Sequence, residues 1–357
     1  MQILLPQLLK VLVPAAMAFT IGMVITPIIS HYLHKNQAWK KKAGKITMHG
    51  EEASEFNRLH EKNEVRAPRM GGIVIWGSVV LTILGIDTLA HLFPSAQILR
   101  FDFLSRGQTW IPLAALIVGA IAGFIDDLLI IQPDGQGLRL RYRLFVVIAL
   151  SLLLGIWFYS KLDVTAISIP FAQPLEIGWL VIPLFVVMSL ALYASGVIDG
   201  IDGLSGGVFA TIFASYAIIA FAQQQIDLAA FSSAIVGGLV AFLWFNIPPA
   251  RFYMSDTGTM ALTLSLATIA FMTDHLGGGI GISVLPVIGA VLVATVASDI
   301  LQMLWKTAFH KKLFRIAPLH HHFEAIGWSG PKVVMRYWII SSICSAAGVI
   351  IALSAIY

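Results

Sequence analysis

The chain has 357 residues, of which 58% are hydrophobic and only 12% are charged. A soluble globular domain is roughly half apolar and about one quarter charged, so these residues cannot coat a water-facing surface and we predict that lipid is the solvent. The formal net charge of +4 does not indicate a nucleic-acid partner, because the basic residues flank apolar runs and can face anionic membrane lipids.

Ten apolar runs are long enough to predict membrane-spanning helices, which need about 20 mostly apolar residues each. The first run has no small-residue cleavage site and is interpreted as a retained span, and the single cysteine, Cys344, excludes an intrachain disulfide. We therefore expect an all-α, polytopic integral membrane protein with one domain, residues 1–357. In chain order the predicted spans are Val13–Leu33, Gly71–Phe93, Trp110–Ile131, Leu144–Tyr159, Gly178–Ile198, Leu204–Ala222, Leu228–Ile247, Gly258–Met272, Gly279–Trp305 and Val333–Tyr357.

Basic residues predict how these spans are oriented. Nineteen of the 23 lysines and arginines follow odd-numbered spans, and the other four are Lys10, Arg100, Arg106 and Lys161. Cytoplasmic loops carry the excess of basic residues, so the side with nineteen is predicted to be cytoplasmic and both termini to lie outside. A multi-pass location in the inner (plasma) membrane follows.

The acidic, amide and histidine motifs all fall on that same side, although they played no part in the orientation. This agreement predicts a single active site at the cytoplasmic face. The residues are Asp126 and Asp127 at the end of the third span, Asp199 and Asp202 after the fifth, Asn246 at the end of the seventh, Asp256 at the start of the eighth, and His320, His321 and His322 in the last inner loop.

The carboxylates suit chemistry on a charged group. Asp126 and Asp127 close a helix, where the helix dipole disfavours anions, so they indicate a bound cation or a general base. Asp256 opens a helix, where the dipole stabilises a carboxylate, and such an oxygen suits Mg²⁺. A solvated helix end and an ordinary N-cap aspartate remain the alternative interpretations.

Two further motifs predict substrate contacts. Asp199 and Asp202 lie in a short glycine-containing turn, where they can accept hydrogen bonds from a sugar, a nucleobase or metal-bound water, or can simply be solvated turn residues. The run His320 to His322 favours contact with a pyrophosphate over a zinc site, because adjacent side chains cannot all ligate one metal in regular structure. A surface accident is the alternative.

Asp299 lies inside the ninth predicted span. An intramembrane carboxylate indicates a functional site, but Asp299 is close enough to the cytoplasmic end that water could reach it. Both interpretations stay open.

Six segments carry a family resemblance in order along the chain: Pro68-Arg-Met-Gly-Gly72, Gly123-Phe-Ile-Asp-Asp127, Asp199-Gly-Ile-Asp-Gly-Leu204, Phe242-Leu-Trp-Phe-Asn246, Met254-Ser-Asp256 and Ala317-Pro-Leu-His-His-His-Phe-Glu324. The set resembles the polyprenyl-phosphate N-acetylhexosamine-1-phosphate transferase superfamily. Within it, the tail Gly327–Ile340 is most similar to the phospho-N-acetylmuramoyl-pentapeptide transferases.

That resemblance implies a Mg²⁺-dependent transfer from UDP-MurNAc-pentapeptide to undecaprenyl phosphate, giving lipid I and UMP, by a homodimer. It implies the following roles: Asp126, Asp127 and Asp256 as catalytic residues, with Asp256 the metal ligand; Asp199, Asp202, Asn246 and Tyr253 in donor binding, with Tyr253 stacking on uracil; and His320, His321 and His322 beside the diphosphate.

The chain departs from the family pattern at several basic and polar positions. Arg69 replaces a threonine and resembles relatives that use UDP-GlcNAc, Ile130 replaces a lysine, and Gly196 replaces an asparagine. A lysine before the first motif has no match, although Lys62 and Arg66 flank the place. Thr295 replaces a glutamate, with Asp299 one turn further on.

Three functions therefore compete. They are the phospho-MurNAc-pentapeptide transferase, a sister transferase acting on UDP-GlcNAc or a similar sugar, and a secondary transporter. A transporter is disfavoured because its charged groups lie near the membrane midplane, whereas here the acids cluster at one face and no internal repeat is evident.

Overall fold

The computed structural model describes residues 4–41, 67–93, 99–105, 107–133, 135, 137–275 and 279–356. In these ranges the chain folds into ten long helices, and each of them contains most of one predicted span. They are α1 (Leu4–Lys35), α2 (Gly72–Leu92), α3 (Trp110–Ile130), α4 (Leu140–Lys161), α5 (Val181–Ser195), α6 (Leu204–Ala222), α7 (Ile226–Asn246), α8 (Ser255–His275), α9 (Ala290–Phe309) and α10 (Gly330–Ile356).

Short elements connect the long helices. Single 3₁₀ turns lie at Leu99–Phe101 and at both ends of α5 (Gly178–Leu180 and Gly196–Ile198), a helical turn spans Leu285–Ile288, and a seven-residue helix spans Leu319–Ala325. The only β-structure in the described ranges is an antiparallel pair, Ala166–Ile167 with Leu175–Glu176, in which Ala166 faces Glu176. The expected all-α architecture of a polytopic membrane protein is confirmed.

Some helix ends differ from the ends of the predicted spans, because an apolar run can continue past the residue where the helix stops. The ninth predicted span is interrupted: the turn Leu285–Ile288 ends at Gly289, and α9 then runs on to Phe309. Asp299 is consequently further from the end of its helix than the prediction placed it, and its side chain is half-buried. The helix Leu319–Ala325 occupies what was expected to be a loop, because the histidines follow Pro318 at a helix start.

Length and composition identify nine of the ten long helices as membrane spans, all except α8. Helix α8 packs against α2, α3, α5 and α6, so its sides contact protein. Leu262, Leu266 and Phe271 are completely buried. The hydroxyls of Thr263, Thr268 and Thr273 bond to carbonyls of their own helix, at 2.8 to 2.9 Å. The polar content of α8 is therefore hidden from lipid.

Two glycines bring α3 onto α8. A Cβ atom on Gly119 would lie 2.6 Å from the Met260 carbonyl oxygen, and one on Gly123 would overlap the carbonyl of Asp256. Glycines four apart lie on one helix face and let two backbones approach more closely than side chains allow. This crossing places the end of α3 beside the start of α8.

Candidate active site

Three carboxylates meet where α3 ends and α8 begins. Asp126 and Asp127 are completely buried in the last two turns of α3, and Asp256 lies in the first turn of α8. One oxygen of each lies within 4.8 Å of the others. The structure thus brings together the three acids that the sequence analysis selected, and hard oxygen ligands at this spacing could hold a divalent cation.

Two arginines neutralise part of this charge. Arg69 Nε donates to Asp127 Oδ1 (2.9 Å), and its Nη2 lies 3.7 Å from Asp256 Oδ2. Arg143, in the first turn of α4, places Nη2 2.9 Å from Asp126 Oδ2 and Nη1 3.3 Å from Asp256 Oδ2. Burial lowers the pKa of Arg69, but Asp127 and Asp256 outweigh it and raise that pKa above its ordinary value. Two fixed positive charges therefore oppose three acids.

The sequence does not predict a role for either arginine: Arg69 is a departure from the family pattern, and Arg143 is one of the nineteen basic residues on the predicted cytoplasmic side. Arg69 takes its place because the segment around it is hydrogen-bonded to the chain before α8. Tyr253 N donates to Pro68 O (2.8 Å), and Gly71 N donates to Tyr253 O (2.8 Å). The position of Arg143 in the sequence could have indicated this contact, because it lies in the first turn of the helix that follows Asp126 and Asp127.

The two neighbouring aspartates have different surroundings. Asp127 accepts four hydrogen bonds from the protein: from Arg69 Nε (2.9 Å), Ser255 Oγ (2.6 Å), Thr257 N (2.9 Å) and Thr257 Oγ1 (2.6 Å). Asp126 Oδ1 accepts from Leu138 N (2.6 Å), while its Oδ2 lies beside Arg143 without a directed hydrogen bond. Asp127 is anchored, and Asp126 keeps an oxygen with acceptor capacity.

Ser255 links the separate parts of the site. Its backbone has φ +54°, in the left-handed region where a side chain is unfavourable. Its Oγ donates to Asp127 and accepts from Met70 N (2.8 Å), while its own N–H donates to Asp199 Oδ2 (2.7 Å). The motif Met254-Ser-Asp256 does not predict a role for Ser255, because its contacts join segments that are distant in sequence.

The loop from Asp199 to Gly203 is held by polar side chains, of which Ser205 and Asn246 are buried and Asp199 and Asp202 are half-buried. Asp199 accepts from Ser205 Oγ (2.7 Å) as well as from Ser255, and its burial raises its pKa despite these bonds. Asp202 accepts from Ala250 N (3.0 Å). Asn246 accepts from Gly203 N (2.9 Å) and donates to Phe252 O (2.8 Å). These three predicted site residues fix the shape of the loop.

Two of the three histidines lie against this loop. His320 and His321 are buried, and a Cβ atom on Gly200 would lie 2.7 and 2.6 Å from their Nε2 atoms, so this close approach requires glycine. His321 Nδ1 lies 2.8 Å from Glu324 Oε2. His322 points elsewhere: its Nδ1 accepts from Arg315 N (3.2 Å), and burial together with Arg315 lowers its pKa.

The remaining residues singled out in the sequence are not part of the carboxylate cluster. The buried Thr295 hydroxyl bonds to the Val291 carbonyl (2.8 Å) of its own helix. Tyr253 is half-buried beside the Pro68–Gly72 segment. Lys62 and Arg66 lie outside the described residues.

Comparison with known proteins places this chain in a family. The family model described as Glycosyl transferase family 4 matches residues 109–274. A phospho-N-acetylmuramoyl-pentapeptide-transferase of Latilactobacillus sakei is 32% identical over 339 residues, covering 94% of this chain and 96% of the relative. The chain belongs to the phospho-N-acetylmuramoyl-pentapeptide-transferase family. This confirms the predicted resemblance.

Two further relatives of this transferase carry the same name. One from Listeria monocytogenes serotype 4b is 33% identical, with 82% of this chain and 87% of the relative covered. One from Bacillus velezensis is 30% identical, with 96% and 95% covered. The three carboxylates of the transferase lie inside the segment matched by the family model, whereas Arg69 and the histidines lie outside it.

Proposed function

We propose that this transferase moves phospho-MurNAc-pentapeptide from UDP-MurNAc-pentapeptide to undecaprenyl phosphate, forming lipid I and UMP for peptidoglycan synthesis. The observation that carries the proposal is the buried cluster of Asp126, Asp127 and Asp256 between two arginines, in a chain whose relatives bear this transferase's name. The distribution of lysines and arginines supports a cytoplasmic site, an inner-membrane location and outward termini. A homodimer and a single domain stay predictions.

The reaction is a direct displacement at phosphorus. An oxygen of the acceptor phosphate attacks the phosphorus that bears the sugar, a new P–O bond forms, and the bond to the bridging oxygen breaks. UMP leaves with that oxygen and its electron pair. The second pKa of a phosphomonoester is about 6, so the acceptor is already largely dianionic at neutral pH. It needs orientation and charge shielding more than activation.

Side chains of the protein can orient the acceptor phosphate and shield its charge. Asp126 keeps an oxygen able to take the last proton of the acceptor phosphate, whereas Asp127 is held by four protein donor contacts, three of them on Oδ2. We therefore assign Asp126 as the base and Asp127 as its anchor. Arg69 and Arg143 stabilise the negative charge on the phosphates.

The donor set fits Mg²⁺. This ion binds through one or two carboxylates plus substrate phosphates, and Asp256 supplies a carboxylate oxygen within 4.8 Å of those of its two neighbouring acids. When bound, Mg²⁺ would neutralise charge on the transferred phosphoryl group. The loop of Asp199 and Asp202, with Asn246 and Tyr253, is proposed to hold the uridine, and His320 and His321 the diphosphate. We also propose His322 beside them, although its Nδ1 is used by Arg315.

The donor is tested by product identity. The purified protein would be given Mg²⁺, undecaprenyl phosphate and either UDP-MurNAc-pentapeptide or UDP-GlcNAc, and the lipid product identified by mass. We expect lipid I and equimolar UMP from the first donor. A GlcNAc-phosphate lipid, formed faster than lipid I, would identify the sister transferase instead.

The metal assignment is tested with Asp256→Ala. This variant should lose Mg²⁺-dependent turnover yet stay folded, whereas Glu176→Ala, which removes an exposed acid far from the cluster in sequence, should keep wild-type activity. Wild-type turnover by Asp256→Ala at low Mg²⁺ would remove Asp256 from the ligand set.

Direct attack is separated from a covalent route by leaving out the lipid. With donor and Mg²⁺ alone, direct attack predicts no UMP release. Stoichiometric UMP, together with a sugar-phosphate adduct on an aspartate that transfers when lipid is added, would establish the two-step mechanism.

A further inference from the structure

A pair of cations lies over one indole ring, outside the cluster described above. The Arg336 guanidinium carbon is 4.0 Å from the centroid of the Trp328 ring, and the Lys332 ammonium nitrogen is 5.2 Å from it. Trp328 also stacks on Phe323, with centroids 4.7 Å apart. Among the residues that the structure describes, neither cation lies within ion-pair distance of a carboxylate.

Lys332 and Arg336 begin a continuous exposed face of α10. The exposed side chains recur every three or four residues, which marks one side of a helix. Below the two cations this face is apolar. Its exposed residues are Met335, Ile339, Ile340, Ile343 and Ile350, each at least half exposed. Cations and tryptophan at the end of a lipid-facing stripe lie at the level of lipid headgroups.

The opposite side of α10 contacts the proposed uridine loop. Trp338 Nε1 donates to Gly203 O (3.1 Å), and a Cβ atom on Gly203 would lie 3.7 Å from Val334. Residues two apart on a helix point about 200° apart. Lys332 and Arg336 therefore point away from the loop that Val334 and Trp338 contact, towards the surrounding bilayer.

We propose that Lys332, Arg336 and Trp328 bind the headgroup phosphate of an anionic phospholipid whose acyl chains lie along the exposed face of α10. The guanidinium fork matches phosphate oxygens, and the ammonium adds a second charge. The occupant is a membrane phospholipid, not the polyprenyl phosphate acceptor, because the cations point away from the loop beside the reaction site. The lipid would fix the helix that supports this loop.

The test counts lipids retained by the detergent-purified protein in native mass spectrometry, after adding phosphatidylglycerol or phosphatidylcholine with the same acyl chains. We expect the wild type to prefer phosphatidylglycerol. Lys332→Gln/Arg336→Gln should lose that preference, on the order of fivefold for each cation removed. Trp328→Leu should weaken it without a change in charge.

A matched control is Lys311→Gln/Lys312→Gln, which removes two exposed cations after α9 and should keep the preference. An unchanged preference in the α10 double variant, or an equal loss in the control, would overturn the proposal. So would undecaprenyl phosphate displacing phosphatidylglycerol from the wild type but not from the α10 variant, because the site would then belong to the acceptor. Unfolding temperatures establish that each variant is folded.

Discussion

At the scale of single residues, the adjacent aspartates at the end of α3 have different hydrogen-bond partners. Asp127 accepts three hydrogen bonds on Oδ2 and one on Oδ1, so protein donors hold its carboxylate in place. Asp126 shares Arg143 with Asp256 and keeps one oxygen outside any directed hydrogen bond. The sequence shows only two adjacent aspartates, so the difference between their surroundings is visible only in the folded structure.

Asparagine substitutions should separate the two roles. Asp127→Asn leaves Arg69 without its main partner, and losing one member of a buried ion pair costs about 3–5 kcal/mol of stability. Asp126→Asn should be milder in stability, because Arg143 still faces Asp256, but kcat should fall about 10²–10⁴-fold, as for a lost general base. Thermal unfolding in detergent and kcat measure the two effects. A stable Asp127→Asn together with an active Asp126→Asn would refute the assignment.

Ser255 combines a strained left-handed backbone with two hydrogen bonds of its hydroxyl group. Ser255→Gly relieves the left-handed backbone but loses the bonds to Asp127 and Met70, whereas Ser255→Ala loses the bonds and keeps the strain. Both should therefore lower kcat by a similar factor, while the glycine variant should be more stable by about 1 kcal/mol. Wild-type kcat in both variants would show that the hydroxyl has no part in positioning Asp127.

At the scale of elements, the ten long helices were predictable and their crossings were not. An apolar run of about 20 residues indicates a helix because lipid offers no partner for unpaired backbone groups. Helix ends depend on local breaks such as Gly289, which apolar composition does not reveal. The motifs at span ends predicted the acidic and histidine residues of the site. The contacts of Arg143 and Ser255 could not be predicted, because they depend on how α3, α4 and α8 pack together.

The α3–α8 crossing should be sensitive to one methyl group. In Gly123→Ala the new Cβ would overlap the Asp256 carbonyl, so α3 must move away from α8. A shift of about 1 Å can cost on the order of 10²-fold in rate, and we expect such a loss in kcat. The control is Gly85→Ala in α2, where no atom lies within 4 Å of the new Cβ and alanine favours the helix. Equal activity of the two variants would contradict this account of the crossing.

At the scale of the whole molecule, the active carboxylates and the basic loops are predicted to share one side of the membrane. Single cysteines in a Cys344→Ser background test this with an impermeant thiol reagent. Lys311→Cys and Arg251→Cys should react from the cytoplasm and Lys161→Cys from outside, since all three positions are exposed. Labelling of positions 161 and 311 from the same side would overturn the proposed topology.

The burial of α8 also bears on how the protein is made. Its threonines make it a poor candidate to enter lipid from the translocon by itself, and the surfaces that cover it belong to α2, α3, α5 and α6. All four are synthesised earlier. We therefore expect these four helices to be in place before α8 leaves the translocon, so that α8 can pack directly against them. The carboxylate cluster would then be complete only after α8 has packed, because Asp256 lies in its first turn.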